Sequence, residues 1–375
     1  MRAYVFTGES LKRYAGQFVW LSINTEDSKN AEFLAKYPIP ALPTLLALNP
    51  SGDKILLRYV GGTTLSQLEK LLAGISIQAP SGPDSIVRQA DSLAAASDHA
   101  KAANLYASAI KAAPNGWNRL GPVSESLLFS LSRAKEYERC AVEAMTLYPR
   151  LRSTRSGANV AASGLDCGLS MDEKNPRRAG LIGKLEKVTR EALKDPKIDL
   201  SGDDRSGMYM SLIDSREALK DAAGARELGR EWAAFLEKAA AEAKTPEQRA
   251  VYDSHRLSAY LKLGSPERAI PMLAQSERDF PEDYNPPARL AIAFMELKQY
   301  DKALAATDRA LARAYGPRKI SILSSRTDIY VEMRDKDAAK RTLREAIGFA
   351  RQLPSVQVKK ETIAALEKRL ADLSK

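Results

Sequence analysis

The spacing of apolar positions changes once along this chain. Up to about residue 75, short β-branched and aromatic runs alternate with short amphipathic stretches. Gln17–Asn24 predicts a strand. Asp27 predicts a cap for a helix through Ala31, Phe33, Leu34 and Tyr37, ended by Pro38 and Pro40. Thr44–Leu48 is a continuous apolar run suited to a strand buried on both faces, and Asn49–Asp53 reads as a turn. Lys54–Val60 pairs back as the next strand, Gly61 and Gly62 break it, and Thr64 caps a helix through Leu65, Leu68, Leu71 and Leu72. Residues 76–84 collect Pro, Gly and Ser and read as a linker.

From residue 85 to 375 no run reads as a strand. Alanine-rich amphipathic helices follow one another across short Gly and Pro breaks, about seven helix pairs and a capping helix over 355–374. The stretch repeats itself. Ala269, Ala303 and Ala339 recur at intervals of 34 and 36 positions. Nine positions before each stands an aromatic (Tyr260, Phe294, Tyr330), and seven after each a small residue (Ser276, Ala310, Ala346). Asp98–Pro114 fits the same frame with Ala102 and Ala109. Small residues let two helices approach, the aromatic fills the gap above them, and pairs that cannot bury their apolar faces alone must stack.

The unit Leu290-Ala291, Phe294, Tyr300, Ala303, Ala310-Leu311 is similar to a tetratricopeptide repeat, with Ala291 in place of the family's glycine; the preceding unit keeps Gly264 and Pro281. The resemblance implies an all-α superhelical solenoid over 85–375 that binds peptides along a concave face. The positions expected to face that groove are Asn285, Ala288, Ile292, Met295 and Glu296, then Ser321, Ser324, Asp328, Val331 and Glu332. The family's carboxylate clamp of paired Lys and Asn is not matched.

Residues 1–75 resemble the C-terminal two thirds of a thioredoxin fold, an α+β domain. The resemblance rests on the strand 17–24, the helix 27–37 and Ile39–Leu45. It implies a cis Leu42–Pro43 bond, with Leu42, Pro43 and Thr44 presenting backbone to a substrate chain. The family's first central strand and its Cys-x-x-Cys are absent, and Met1–Phe6 looks like what would directly follow that motif. Two accounts stand side by side: a remnant domain, or an internal methionine as the start, which the cost of a missing central strand favours.

Composition narrows the chemistry. A chain of 375 residues suggests two to three domains, and 44% hydrophobic with 28% charged residues excludes a disordered or collagen-like chain. Its net charge of +10 is spread thinly. Cys140 and Cys167 exclude a disulfide framework, and both read as packed free thiols, with a bridge between neighbouring helices left open. His99 reads as a packing residue and His255 as a surface or groove residue, so no zinc, haem or other cofactor is expected. Asp84, Asp98 and Thr245 read as helix caps. Arg150, Arg152, Arg155, Arg177 and Arg178 form the densest basic neighbourhood; without interleaved aromatics they read as a solvated face, open to an acidic partner, and no nucleic acid is expected. Gly61-Gly62 lacks the residues of a phosphate loop. No apolar run is long enough for a membrane span, and no leader is visible at Met1.

The expected function is protein–protein interaction: a redox-inactive thioredoxin-like domain fused to a peptide-binding tetratricopeptide scaffold, with no catalytic residue. The alternative is a truncated thiol-disulfide oxidoreductase whose repeats select clients. The first suggests the cytosol, the second the periplasm or export.

Overall fold

The computed structural model describes every residue except 2, 40, 53, 76–80 and 375. Pro40, Asp53 and most of the expected linker therefore lie outside the described residues. Two of the short apolar runs pair as an antiparallel hairpin, β1 (Thr44–Leu48) with β2 (Ile55–Val60), Leu45 opposite Tyr59 and Leu46 opposite Arg58. β1 is half-buried along its length rather than covered on both faces, and these are the two strands of the sheet among the described residues. Gln17–Asn24 forms no strand: it is an irregular stretch in which Val19 and Leu21 are 88% and 75% exposed. β-prone residues pair only where a sheet edge lies beside them. A thioredoxin-like sheet is accordingly not seen.

Helix α1 (Ala31–Lys36) follows a tight turn capped by Asp27, which accepts from the Lys29 N–H at 3.0 Å. Helix α2 (Leu65–Ala73) starts at Thr64, whose hydroxyl accepts from the Gln67 N–H, and buries Leu68 and Leu72. The rest of the chain is helical: α3 (Pro83–Ala95), α4 (His99–Ala112), α5 (Leu120–Arg133), α6 (Tyr137–Leu151), α7 (Arg155–Ser170), α8 (Arg178–Lys194), α9 (Gly202–Ala218) and α10 (Ala222–Ala241). Then come α11 (Pro246–Ala250), α12 (Asp253–Lys262), α13 (Ala269–Asp279), α14 (Asn285–Glu296), α15 (Tyr300–Arg313), α16 (Pro317–Glu332), α17 (Lys336–Gln352) and α18 (Lys360–Asp372).

One turn is used repeatedly. Between α3 and α4, α5 and α6, α9 and α10, α12 and α13, α14 and α15, and α16 and α17, one residue takes a left-handed φ: Ser97, Lys135, Lys220, Gly264, Lys298 and Arg334. In each case the next N–H closes on the carbonyl five residues back, among them Ser265 to Tyr260, Gln299 to Phe294 and Asp335 to Tyr330, all at 2.9 Å. This satisfies the orphaned carbonyls of one helix and reverses the chain into the next. The acceptors are the aromatics of the sequence frame. Its small residues lie where two helices meet: Ala269, Ala303, Ala310, Ala339 and Ala346 have no exposed surface.

The chain forms two compact units. The first comprises Met1–Ala15 and Ile39–Trp232, the second Gly16–Pro38 and Ala233–Lys375, so the division falls within α10.

In the first unit α7 is the hub, packed by α5, α6, α8 and α9. Its small residues make this fit: a Cβ at Gly164 would overlap Ala144 of α6 and crowd Leu185 of α8. Cys140 of α6 and Cys167 of α7 form a disulfide, with Cα atoms 6.0 Å apart. The expectation of two free thiols is corrected: the close α6–α7 approach brings the two sulfurs together, and both are buried. Asp98 and Thr245 cap α4 and α11. Asp84 does not cap α3; it lies inside the helix, after Pro83, and pairs with Arg119 at 3.1 Å.

Candidate functional site

In the first unit a polar network ties the hairpin to the helices. Thr154 caps α7 and sets Arg155 at its first position. From there the guanidinium donates to both carboxylate oxygens of Asp204, at 2.6 and 2.8 Å, to the Gly62 carbonyl at 2.6 Å and to the Tyr59 hydroxyl at 3.3 Å. Asp204 also accepts from the Ser201 N–H and hydroxyl at the start of α9. Further along α7, Ser156 and Asn159 donate to Glu125 of α5. Gln67 donates to the Tyr59 hydroxyl at 3.1 Å. Desolvation opposes the Arg155 charge, but Asp204, Tyr59 and Glu125 outweigh it, so its pKa lies above the ordinary value. Burial pushes the Glu125 carboxyl up, against the hydrogen bonds from Ser156 and Asn159 and the Arg155 charge.

Beside this network β2 walls a cavity of about 50 Å³ lined by Arg58, Asp91, Tyr106, Glu125 and Phe129. Tyr106 donates to Asp91 at 2.6 Å. Burial pushes the Asp91 carboxyl up to about 6, opposed by the Tyr106 hydrogen bond and by Arg119 and Arg58. The volume is well below that of a metabolite pocket. His99 is buried here too, edge-on to the Phe129 ring at 6.0 Å.

Leu42, Pro43 and Thr44 lie in the same unit. The Leu42–Pro43 peptide is cis, and Leu42 is 59% exposed. Thr44 donates to the Ala41 carbonyl at 2.7 Å, and the Pro43 carbonyl accepts from Gly61 at 2.8 Å.

Asn285, Ile292, Met295 and Asp328 belong to the second unit, where α14 packs against α16. Ile292 and Met295 are half-buried, and Glu296, Ser321, Val331 and Glu332 are at least partly exposed. Asn285 turns back onto Asp283 at 2.7 Å, and Asp328 is ion-paired with Arg369 of α18. Asn285 and Asp328 thus already have partners within the unit.

Along one edge of this unit the turns into α14, α16 and α18 hold a piece of the chain's own N-terminal region. Asn24 donates to the Tyr315 hydroxyl at 2.8 Å, and the Thr25 carbonyl accepts from Gln357 at 3.1 Å. The Glu26 carboxylate accepts from the Tyr284 hydroxyl at 2.9 Å and from Arg318. Tyr284 and Tyr315 meet edge to face at 6.1 Å.

Sequence reasoning missed Arg155, which stands in a basic stretch but is buried and bidentate rather than part of a solvated face. Its neighbours Arg152 and Arg177 are exposed, with ion pairs to Glu191 and Glu138. Tyr284, Tyr315 and Arg318 were missed as well; the one available signal was the place of Tyr284 and Tyr315 in the breaks before α14 and α16, with Arg318 in the first turn of α16. No group of three or more metal-ligating residues occurs among the described residues, and no described helix is long and apolar enough to cross a membrane.

No curated protein matches the chain. Among solved structures it is similar to a tetratricopeptide repeat protein from Parabacteroides merdae (10% identity, 77% of this chain and 98% of that one, TM-score 0.46). It is also similar to a thermophilic TPR protein of Thermus thermophilus (17% identity, 78% and 98%, TM-score 0.28). A third is the TPR2AB domain of yeast Sti1 in its pHSP90 complex (14% identity, 78% and 98%, TM-score 0.30). Residues 260–323 match the tetratricopeptide repeat family; they run from the last residues of α12 to the first turns of α16, where the alanine frame and the repeated turn coincide, and this segment carries the family's repeat pattern.

Proposed function

We propose that this chain is a protein–protein interaction protein whose stacked helix pairs hold extended peptide segments. The observation that carries the reading is the repetition: one turn type and one small-residue contact recur from pair to pair and leave Ile292, Met295 and Glu296 of α14 accessible in part. Such arrays present many weak contacts along a rigid surface, which suits an extended chain better than a small molecule. The buried disulfide favours an oxidising compartment, since such bonds persist there.

The finer reading takes residues 1–75 as a redox-inactive thioredoxin-like domain, residues 76–84 as a linker and 85–375 as the repeat scaffold. The cis Leu42–Pro43 peptide, the antiparallel hairpin and α2 support the first part. In that reading exposed Leu42 offers its backbone to a client chain, with Pro43 and Thr44 fixing its direction. Both cysteines are bridged and buried, so neither serves as an attacking thiolate. An insulin-reduction assay checks this: no turnover is expected; insulin-reduction activity would sink the redox-inactive reading, and its persistence in Cys140→Ser/Cys167→Ser would clear these two thiols as its source. The holding function is checked by selecting peptides against the folded chain and competing them with variants at Ile292 and Met295.

A further inference from the structure

The edge of the second unit reads a specific peptide chemistry. Three consecutive residues are held by the turns between helix pairs: Asn24 by Tyr315, the Thr25 carbonyl by Gln357, and the Glu26 carboxylate by Tyr284 and Arg318. The Glu26 side chain is 16% exposed. Gly316 shapes the floor: its φ is +54°, and a Cβ there would overlap the Glu26 carbonyl oxygen. The turn therefore admits peptide backbone at a distance that only glycine permits. Within the stretch, Asn24 accepts from the Glu26 N–H at 2.9 Å and Asn30 donates to the Asn24 carbonyl at 2.8 Å, so the bound conformation is partly set by the peptide itself.

What is recognised is a side-chain amide, the backbone carbonyl of the next residue, and a carboxylate on the residue after that. None of it requires the stretch to be covalently attached.

We infer that this edge, formed by Tyr284, Tyr315, Gly316, Arg318 and Gln357, is a carboxylate-reading peptide site, occupied in cis by Asn24–Glu26 and open to an acidic Asn-x-Glu peptide in trans. The inference rests on the peptide-holding reading and names the partner's chemistry. Attachment gives the cis segment an effective concentration in the millimolar range, so a free peptide competes poorly until the cis contacts are removed.

The probe is a fluorescent peptide of sequence Ser22–Asn30, titrated by anisotropy into the full chain. Binding to Asn24→Ala/Glu26→Ala protein should be about tenfold or more tighter than to the unaltered chain. Adding Arg318→Ala, or replacing the peptide's glutamate with glutamine, should weaken it about tenfold. Should Arg318→Ala fail to fold by circular dichroism, Arg318→Lys takes its place, with a smaller loss expected because the directed N–H is gone. Equal affinity for the emptied and unaltered chains, or indifference to Arg318, overturns the inference. That result, with selected peptides still held through Ile292 and Met295, leaves the broader reading standing; loss of both removes it too.

Discussion

Arg155 clasps Asp204 through two parallel hydrogen bonds of 2.6 and 2.8 Å, with the two side chains only 9% and 10% exposed. The pair joins the start of α7 to the start of α9, and the same guanidinium holds the Gly62 carbonyl at the end of the hairpin. Arg155→Ala leaves a largely enclosed Asp204 carboxylate without its guanidinium partner. A loss of roughly 3–5 kcal/mol is expected in urea unfolding. Limited proteolysis after Gly62 should quicken as well; an unchanged unfolding midpoint would contradict the network.

Cys140 and Cys167 staple the hub helix to its neighbour across 27 residues. Closing such a loop is worth roughly 3–4 kcal/mol by its effect on the unfolded chain. The double serine variant should therefore melt lower than the oxidised protein, and reductant should lower the parent towards it. Two reactive thiols in the folded, unreduced protein would refute the bridge.

Lysine at a left-handed φ is an unforced cost. Lys135 and Lys298 sit at φ of 62° and 57° where the equivalent turn uses Gly264. Lys298→Gly and Lys135→Gly should each raise stability by roughly 0.5–1 kcal/mol, glycine's entropy offsetting part of the gain. Thermal melts of the single and double variants read this out, and a fall in melting temperature would show that the turn is not under strain.

Asp91 imposes a pH dependence. Its folded-state value near 6 lies above the ordinary 3.8 because burial disfavours the charge more than Tyr106, Arg119 and Arg58 favour it. Its contribution is thus fully present below about pH 4 and is lost as pH rises through 6, roughly 3 kcal/mol in all. Asp91→Asn should flatten the stability profile of the whole protein between pH 4 and 6.5, measured by urea unfolding. An identical slope in the variant would contradict the assignment.

These residues also show what a sequence reader can and cannot see. The frame around Ala269, Ala303 and Ala339 was legible because helix contact distance forbids larger residues there, and a local rule of that kind repeats visibly. The cis Leu42–Pro43 bond was legible through a family resemblance. Gln17–Asn24 was misread because strand propensity says nothing of whether an edge is available. Arg155, Asp204 and Tyr59 were invisible because the network joins positions far apart in the chain, and an arginine among arginines carries no mark of its burial. The disulfide had a weak signal: the small residues Gly157 and Gly164 of α7, which lie against Leu151 and Ala144 of α6, mark a close approach of the two helices that carry the cysteines.

The central claim is that the helix pairs hold peptide by shape, and the most direct measurement is calorimetric binding of library-selected peptides to the intact chain and to an Ile292→Ala/Met295→Ala variant of matched melting temperature. The account predicts peptides that bind the parent and lose about tenfold or more in affinity on the variant. Failure to enrich any peptide, or affinities that ignore both substitutions, would contradict it.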